Sequence, residues 1–390
     1  MGAGCSGHCR GSPGGSFGPG PGMTRQAPLP ADYASATADE LRARIFAAKQ
    51  ALGSRLVVLG HHYQRDEIIE FADYRGDSYK LAKDAGAHPG AEFIVFCGVH
   101  FMAESADILT SANQKVILPN MAAGCSMADM AGIFQVRSCW RQLEELGITG
   151  IIPVTYINSA ANLKAFVGEH HGTVCTSTNA PVAVEWALGQ GEKVLFFPDQ
   201  HLGRNTGVKL GFDSDSDMAL WDPFKPLGGN SAEKLKASKF ILWKGHCSVH
   251  KRFTVEQISQ ARAEHPGVQV VVHPECPLDV VRAADYNGST EHIIKLVSDS
   301  DPGSVWAVGT EVNLVQRLAK ELPDRTVFCL DPEICPCSTM YRIHPSFLCW
   351  VLEELVAGRV VNQVVVPDEV AIPARLALQQ MLSLEPRVRD

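Results

Sequence analysis

"VVVHPECPLDVVRAADYNGST", residues 270–290, runs from an apolar stretch with the character of a buried strand into His273, Pro274 and Glu275, then a short helical segment, then the hydroxyl pair Ser289 and Thr290. A strand tip that presents an imidazole and a carboxylate suits the carboxyl edge of a parallel sheet, where open α/β folds place their chemistry. The rest of the chain supplies such sheets. The apolar runs "RLVVLG", "GIIPVTY", "KVLFFPD", "SVWAVGT" and "TVFCLDP" alternate with helical segments, which is the pattern of strands covered on both faces. The segment "TADELRARIFAAKQAL" opens with Thr37 and Glu40 as a capping box and carries Leu41, Ile45, Ala48 and Leu52 on one helical face.

The chain has 390 residues, 45% of them hydrophobic, enough to bury a large core over two or three domains. Its formal net charge is −8 and it has no basic run, which argues against a nucleic-acid surface. The longest apolar runs, such as "FIVFCGV", fall short of the ~20 residues of a membrane helix. A soluble, cytoplasmic protein is expected. The first 22 residues are rich in Gly, Ser and Pro and lack a signal-peptide core, so residues 1–30 read as a disordered tail, with Met23 as an alternative start. Twelve cysteines occur without a paired CxxC pattern, so any metal ligands among them come from distant parts of the chain.

Spacing reveals a repeat. From His61 to Ser78 is 17 residues, and from His273 to Thr290 is also 17; in the middle, Tyr156 precedes Ser177 by 21. From Ser78 to Cys125 is 47 residues and from Thr290 to Cys337 is 47 again, while Cys247 lies 70 beyond Ser177, an excess assigned to a polar insertion at 204–240. Three copies of one α/β unit follow, each offering a strand tip, a hydroxyl and a cysteine. The expected units are 31–121 completed by 338–390, 122–244 with the insertion, and 245–337, arranged around a pseudo-threefold axis with the site at the centre. Cys97, Cys139, Cys175, Cys329 and Cys349 read as small buried hydrophobes.

Such an arrangement would aim His61 and Tyr63, Tyr156 and Asn158, and His273 and Glu275 at one cavity walled by Cys125, Cys247 and Cys337. Three thiolates suit zinc or an iron–sulfur cluster, with one coordination position open for Lewis-acid chemistry. Ser78, Ser177 and Thr290 lie where loops enter helices, so they are either anion-binding hydroxyls or ordinary caps. Glu275 beside His273 reads as a general base whose pKa burial raises. His62 should turn away from His61 and Tyr63 by strand alternation. His250 reads equally as a catalytic or a supporting residue, and Cys335 as a redox partner of Cys337 or a bystander. On the residues alone, an aconitase-like hydro-lyase and a zinc-stabilised binding protein stay open.

The motifs "GHHYQRDEIIEFADYRGDS", "FCGVHFMAESADIL", "LPNMAAGCSMADM", "VTYINSAANLKA", "CTSTNA", "FFPDQHLGRNTG", "WKGHCSVH", "HPECPLDVV", "NGST" and "CPCSTMYRI", in this order from about residue 38 onward, resemble those of the quinolinate synthases, in their longer-chain subgroup. The resemblance implies one [4Fe-4S] cluster on Cys125, Cys247 and Cys337. It also implies condensation of iminoaspartate with dihydroxyacetone phosphate to quinolinate, phosphate and water in NAD biosynthesis. By motif position, substrate contacts fall on His61, Ser78, Tyr156, Ile157, Asn158, Ser177, His273, Pro274, Glu275 and Thr290, those of Ile157 and Pro274 through the backbone. Glu275, His273, Tyr63 and Tyr156 are the expected catalytic groups. The resemblance further implies an L-aspartate oxidase as the source of iminoaspartate and iron–sulfur assembly machinery as a partner.

Overall fold

Three sheets share a core of four parallel strands in the order second–first–third–fourth, counted in the second sheet without an inserted edge strand, and build the computed structural model, which describes residues 26–333 and 335–385. In the first sheet the strands are Leu56–His61, Tyr74–Gly76, Phe93–Cys97 and Lys115–Ile117, all parallel, with Gln363–Val364 added antiparallel at the edge. The second sheet uses Ile151–Tyr156, Thr173–Cys175, Lys193–Phe197 and Phe240–Trp243, and the third Gln269–Val272, Tyr286–Asn287, Val305–Gly309 and Thr326–Cys329. The chain is therefore α/β with three repeated parallel sheets. Parallel pairing forces every connection over a sheet face, and the first and third strands are buried along nearly their whole length.

The N-terminal helix is Ala38–Leu52, with the Thr37–Glu40 capping box formed and Leu41, Ile45, Ala48 and Leu52 buried. Residues 1–25, most of the expected tail, lie outside the described residues. Gln26 accepts a hydrogen bond from the Met121 N–H at 2.7 Å. The C-terminal segment serves two units. Its helix Pro345–Val356 packs on Ala38–Leu52, whereas Asp368–Ser383 lies against Ala161–Glu169 of the second unit. There Gly168 is required, because a Cβ would sit 1.9 Å from the Pro373 carbonyl oxygen.

Residues 204–240 are more structured than a polar insertion suggests. The helix Gln200–Lys209 runs across their start, the strand Met218–Trp221 joins the second sheet beyond Phe240–Trp243, and the helix Ala232–Ala237 follows under a Ser231 cap. The segment lengthens the crossover between the third and fourth strands, which accounts for the extra residues before Cys247. Trp221 is buried against Gly228, whose φ of +64° and contact with the indole leave no room for a side chain.

Candidate active site

Parallel pairing explains why the spacings repeat. His61 pairs with Gly76 and Tyr156 pairs with Cys175, while Val272 pairs with Asn287, which brings His273 opposite Gly288. In each sheet the hydroxyl residue, Ser78, Ser177 or Thr290, lies two positions beyond the partner of the strand-tip residue. The register is constant even where the intervening loop is longer. Ser78 and Thr290 are not the caps of their helices. Asp77 caps Ser78–Gly86 and Ser289 caps Thr290–Ser298, each accepting from the backbone three residues on, and both hydroxyls line the cavity instead.

The first and third tips fold into the same turn. The Tyr63 N–H donates to His61 Nδ1 at 3.1 Å and the Glu275 N–H to His273 Nδ1 at 3.3 Å; Gln64 N–H reaches the His61 carbonyl at 2.9 Å and Cys276 N–H the His273 carbonyl at 3.0 Å. With Nδ1 accepting, each neutral imidazole carries its proton on Nε2. Burial pushes both imidazoles down, to about 3, so they stay neutral donors at ordinary pH. His62 turns away, as alternation requires, and meets Glu291 at 2.9 Å.

Each fourth strand leads to a cysteine and then a single 3-10 turn that begins three residues later: Ala128–Met130 after Cys125, His250–Arg252 after Cys247 and Met340–Arg342 after Cys337. The carbonyls of Cys125, Cys247 and Cys337 accept from the N–H groups of Asp129, Lys251 and Tyr341, at 3.1, 3.1 and 2.9 Å. The same turn thus presents each thiol, and "Cys-Ser" recurs at all three places, a signal in the sequence that spacing alone overlooked.

One cavity, with an empty volume of about 640 Å³ including its mouth, collects these groups. His61, Tyr63, Ser78, Tyr156, Asn158, Ser177, His273, Glu275 and Thr290 line it together with Cys125, Cys247 and Cys337. Ile157 and Pro274 do not. The Ile157 N–H donates to the Cys175 carbonyl and its own carbonyl accepts from Ser159, while Pro274 has no N–H and its carbonyl accepts from Asn205.

Glu275 is held at both of its carboxylate oxygens. Its Oε1 accepts from the Tyr156 hydroxyl at 2.5 Å and its Oε2 from His250 Nδ1 at 2.8 Å. Burial alone would raise this carboxyl, but His250, His273 and the hydrogen bonds from His250 and Tyr156 outweigh it and bring it down to about 2. The expectation of a raised pKa is therefore reversed, because a carboxylate that receives two donors beside two imidazoles is stabilised in its charged form. The far nitrogen, His250 Nε2, lies 3.1 Å from Thr310 Oγ1, which lies 2.8 Å from the Tyr63 hydroxyl; Tyr63 also meets Thr290 at 3.2 Å. His250 stacks on His273 at 4.2 Å. The chain Glu275–His250–Thr310–Tyr63 is a continuous hydrogen-bonded line, of which Thr310 carried no signal in the sequence. It follows the third strand of its sheet, a part of the repeat the spacing did not sample.

A family model, that of the quinolinate synthetase A protein, matches residues 43–383. The chain belongs to this family. It is 60% identical to the quinolinate synthase of Corynebacterium glutamicum over 363 residues, covering 93% of this chain and 92% of that one. It is 55% identical to that of Streptomyces coelicolor, covering 93% of each, and 52% identical to that of Geobacillus thermodenitrificans, covering 91% of this chain and 96% of the relative.

The donor set fits a thiophilic centre. Cys125, Cys247 and Cys337 come from three sheets to one cavity, and no other cysteine among the described residues lines it. Burial pushes the Cys125 thiol up to about 12 and also raises Cys247 well above the ordinary thiol value, so cationic charge is needed to hold them as thiolates. Ligand atoms of Cys247, His250 and Glu275 also lie within 4.8 Å of one another, but the imidazole and carboxylate there are bonded to each other. Cys97, Cys139, Cys175 and Cys349 are buried, Cys329 is half-buried, and Cys335 is exposed. No helix among the described residues is long and apolar enough to cross a membrane.

Proposed function

We propose that this chain is a quinolinate synthase that condenses iminoaspartate with dihydroxyacetone phosphate, releasing phosphate and two waters, with one [4Fe-4S] cluster on Cys125, Cys247 and Cys337. The observation that carries this reading is the convergence of three thiols from three sheets on a cavity that also receives three strand-tip side chains and the hydroxyls of Ser78, Ser177 and Thr290. A cluster with three protein ligands supplies Lewis acidity through the iron that lacks one. All other steps fall to the residues around it.

Both substrates are anions, and in a chain of net charge −8 they need local donors. Ser78, Ser177 and Thr290 supply hydroxyls, and Ser78 and Thr290 sit in first helical turns whose N–H groups favour phosphate or carboxylate. The Nε2–H groups of His61 and His273 donate to carbonyl or carboxylate oxygens without adding charge, and Asn158, whose Oδ1 is buried and unpartnered, has an acceptor free for substrate. Glu275 orients His250 and stabilises its imidazolium, as the carboxylate of a hydrolase triad does. His250 Nε2 then draws a proton from Tyr63 through Thr310, and the Tyr63 oxygen takes a proton from substrate carbon or returns one to a departing hydroxyl. Tyr156 keeps the carboxylate in register.

An L-aspartate oxidase would supply the unstable imine, iron–sulfur assembly machinery the cluster, and a reducing cytoplasm the conditions in which free thiols persist. The test is anaerobic incubation of the purified protein with dihydroxyacetone phosphate and iminoaspartate generated in situ. Quinolinate with stoichiometric phosphate is expected. Consumption of neither substrate by a cluster-loaded protein would remove the assignment.

A further inference from the structure

The two matching turns are held from outside by side chains in matching places. Asn205 is the sixth residue of the helix Gln200–Lys209, and Arg317 the sixth of Val312–Glu321; both helices follow the third strand of their sheets. Asn205 Nδ2 donates to the carbonyls of Pro274 and Cys276, each at 2.8 Å, which flank Glu275. Arg317 donates to the carbonyls of His62 at 2.9 Å and Gln64 at 2.5 Å, which flank Tyr63. Each therefore grips the residues before and after a group at one end of the hydrogen-bonded line, from a different unit than the one gripped. Both side chains are nearly fully buried, at 7% and 6% exposure, and neither lines the cavity.

We infer that Asn205 and Arg317 are a matched pair of positioning residues, clips that fix Glu275 and Tyr63 across the unit boundaries. The inference rests on the quinolinate synthase reading for its catalytic consequence, though not for its geometry. A turn can hold its own hydrogen bonds and still swing as a body about the end of its strand. Fixing two carbonyls spaced across the catalytic residue removes that freedom, and in a site where displacement of about 1 Å costs ~100-fold, the removal matters. The second tip lacks this two-carbonyl clip, although the first unit still reaches its base, where the Ala161 N–H donates to Glu104 Oε2 at 3.0 Å. Its equivalent helix residue, Ser105, bonds within its own helix, and the Ser159 carbonyl is taken by Lys164 of the same unit.

The test uses Asn205→Leu, which keeps volume and removes the donor, and Arg317→Lys, which keeps charge and removes the two-carbonyl fork. Anaerobically purified, both should retain wild-type iron and sulfide. Their kcat should fall about 100-fold with each KM within about threefold of wild type. By hydrogen exchange, Asn205→Leu should expose the amides of Glu275 and Cys276 about tenfold faster and leave Tyr63 and Gln64 unchanged, with the reverse in Arg317→Lys. Wild-type kcat in both variants, equal loosening of both turns, or loss of the cluster would overturn the pairing, since each denotes ordinary packing. A wild-type enzyme that makes no quinolinate would instead remove the functional reading, and the exchange pattern would still decide whether the clips exist.

Discussion

The tips at 273–276 and 156–159 hold equivalent places in their sheets, end a first strand in the same register with a hydroxyl-bearing neighbour, and open on the same cavity. Their interiors differ. The third-unit tip is a His-initiated turn bonded to its own Nδ1 and held from the second unit by Asn205, and it carries the carboxylate of the hydrogen-bonded line. The second-unit tip is closed by its own hydroxyl, with Ser159 donating to the Tyr156 carbonyl at 2.8 Å, and it sends one phenol to that carboxylate. Sheet register decides where a side chain arrives, and the local turn decides which partners hold it there.

The sharpest way to break this comparison is to disable one tip at a time. Glu275→Gln should keep the cluster and lower kcat by about 1,000-fold, because the amide cannot stabilise the imidazolium of His250. Steady-state kinetics beside iron analysis checks it, and retained turnover would remove Glu275 from the line. Tyr156→Phe removes one donor and leaves Oε2 bonded, so about a tenfold loss is expected in the same assay. Thr290→Val should raise the KM for dihydroxyacetone phosphate about tenfold, with folding stability unchanged.

Two further expectations separate tip from scaffold. His61 and His273 are held neutral by burial, at about 3 against an ordinary 6.5, so between those values the folded chain binds fewer protons than the unfolded one. Their contribution is complete above 6.5 and is lost as pH falls toward 3; in the cluster-free protein, His61→Asn should flatten the acid limb of a melting-temperature profile. The smallest effect belongs to Ser289→Ala, which removes a cap beside Thr290 and should cost about 1 kcal/mol in denaturant titration while leaving every KM unchanged.

Strongly apolar first and third strands were legible from the sequence because burial on both faces leaves continuous runs such as "VVLG" and "VLFF". The second strands, Tyr74–Gly76, Thr173–Cys175 and Tyr286–Asn287, were not, since two or three residues at a sheet edge leave no periodic signal. Strand-tip residues, hydroxyls and cysteines could be chosen from intervals because parallel register preserves them. Thr310, Asn205 and Arg317 lay beyond that reach: their roles depend on which unit lies beside which, and spacing within one unit carries no such information. The direction of the Glu275 shift was missed for the same reason, because burial was visible in its apolar strand while the donors from His250 and Tyr156 arrive from other segments.

The central claim is that Cys125, Cys247 and Cys337 jointly hold one iron–sulfur cube. Anaerobic iron and acid-labile sulfide analysis of the wild type beside Cys125→Ala, Cys247→Ala and Cys337→Ala tests it most directly. About four irons and four sulfides per chain are expected in the wild type, the composition of such a cube, with most of both lost in each variant. A colourless wild type carrying zinc, or any of the three variants with its iron and sulfide intact, would contradict the account.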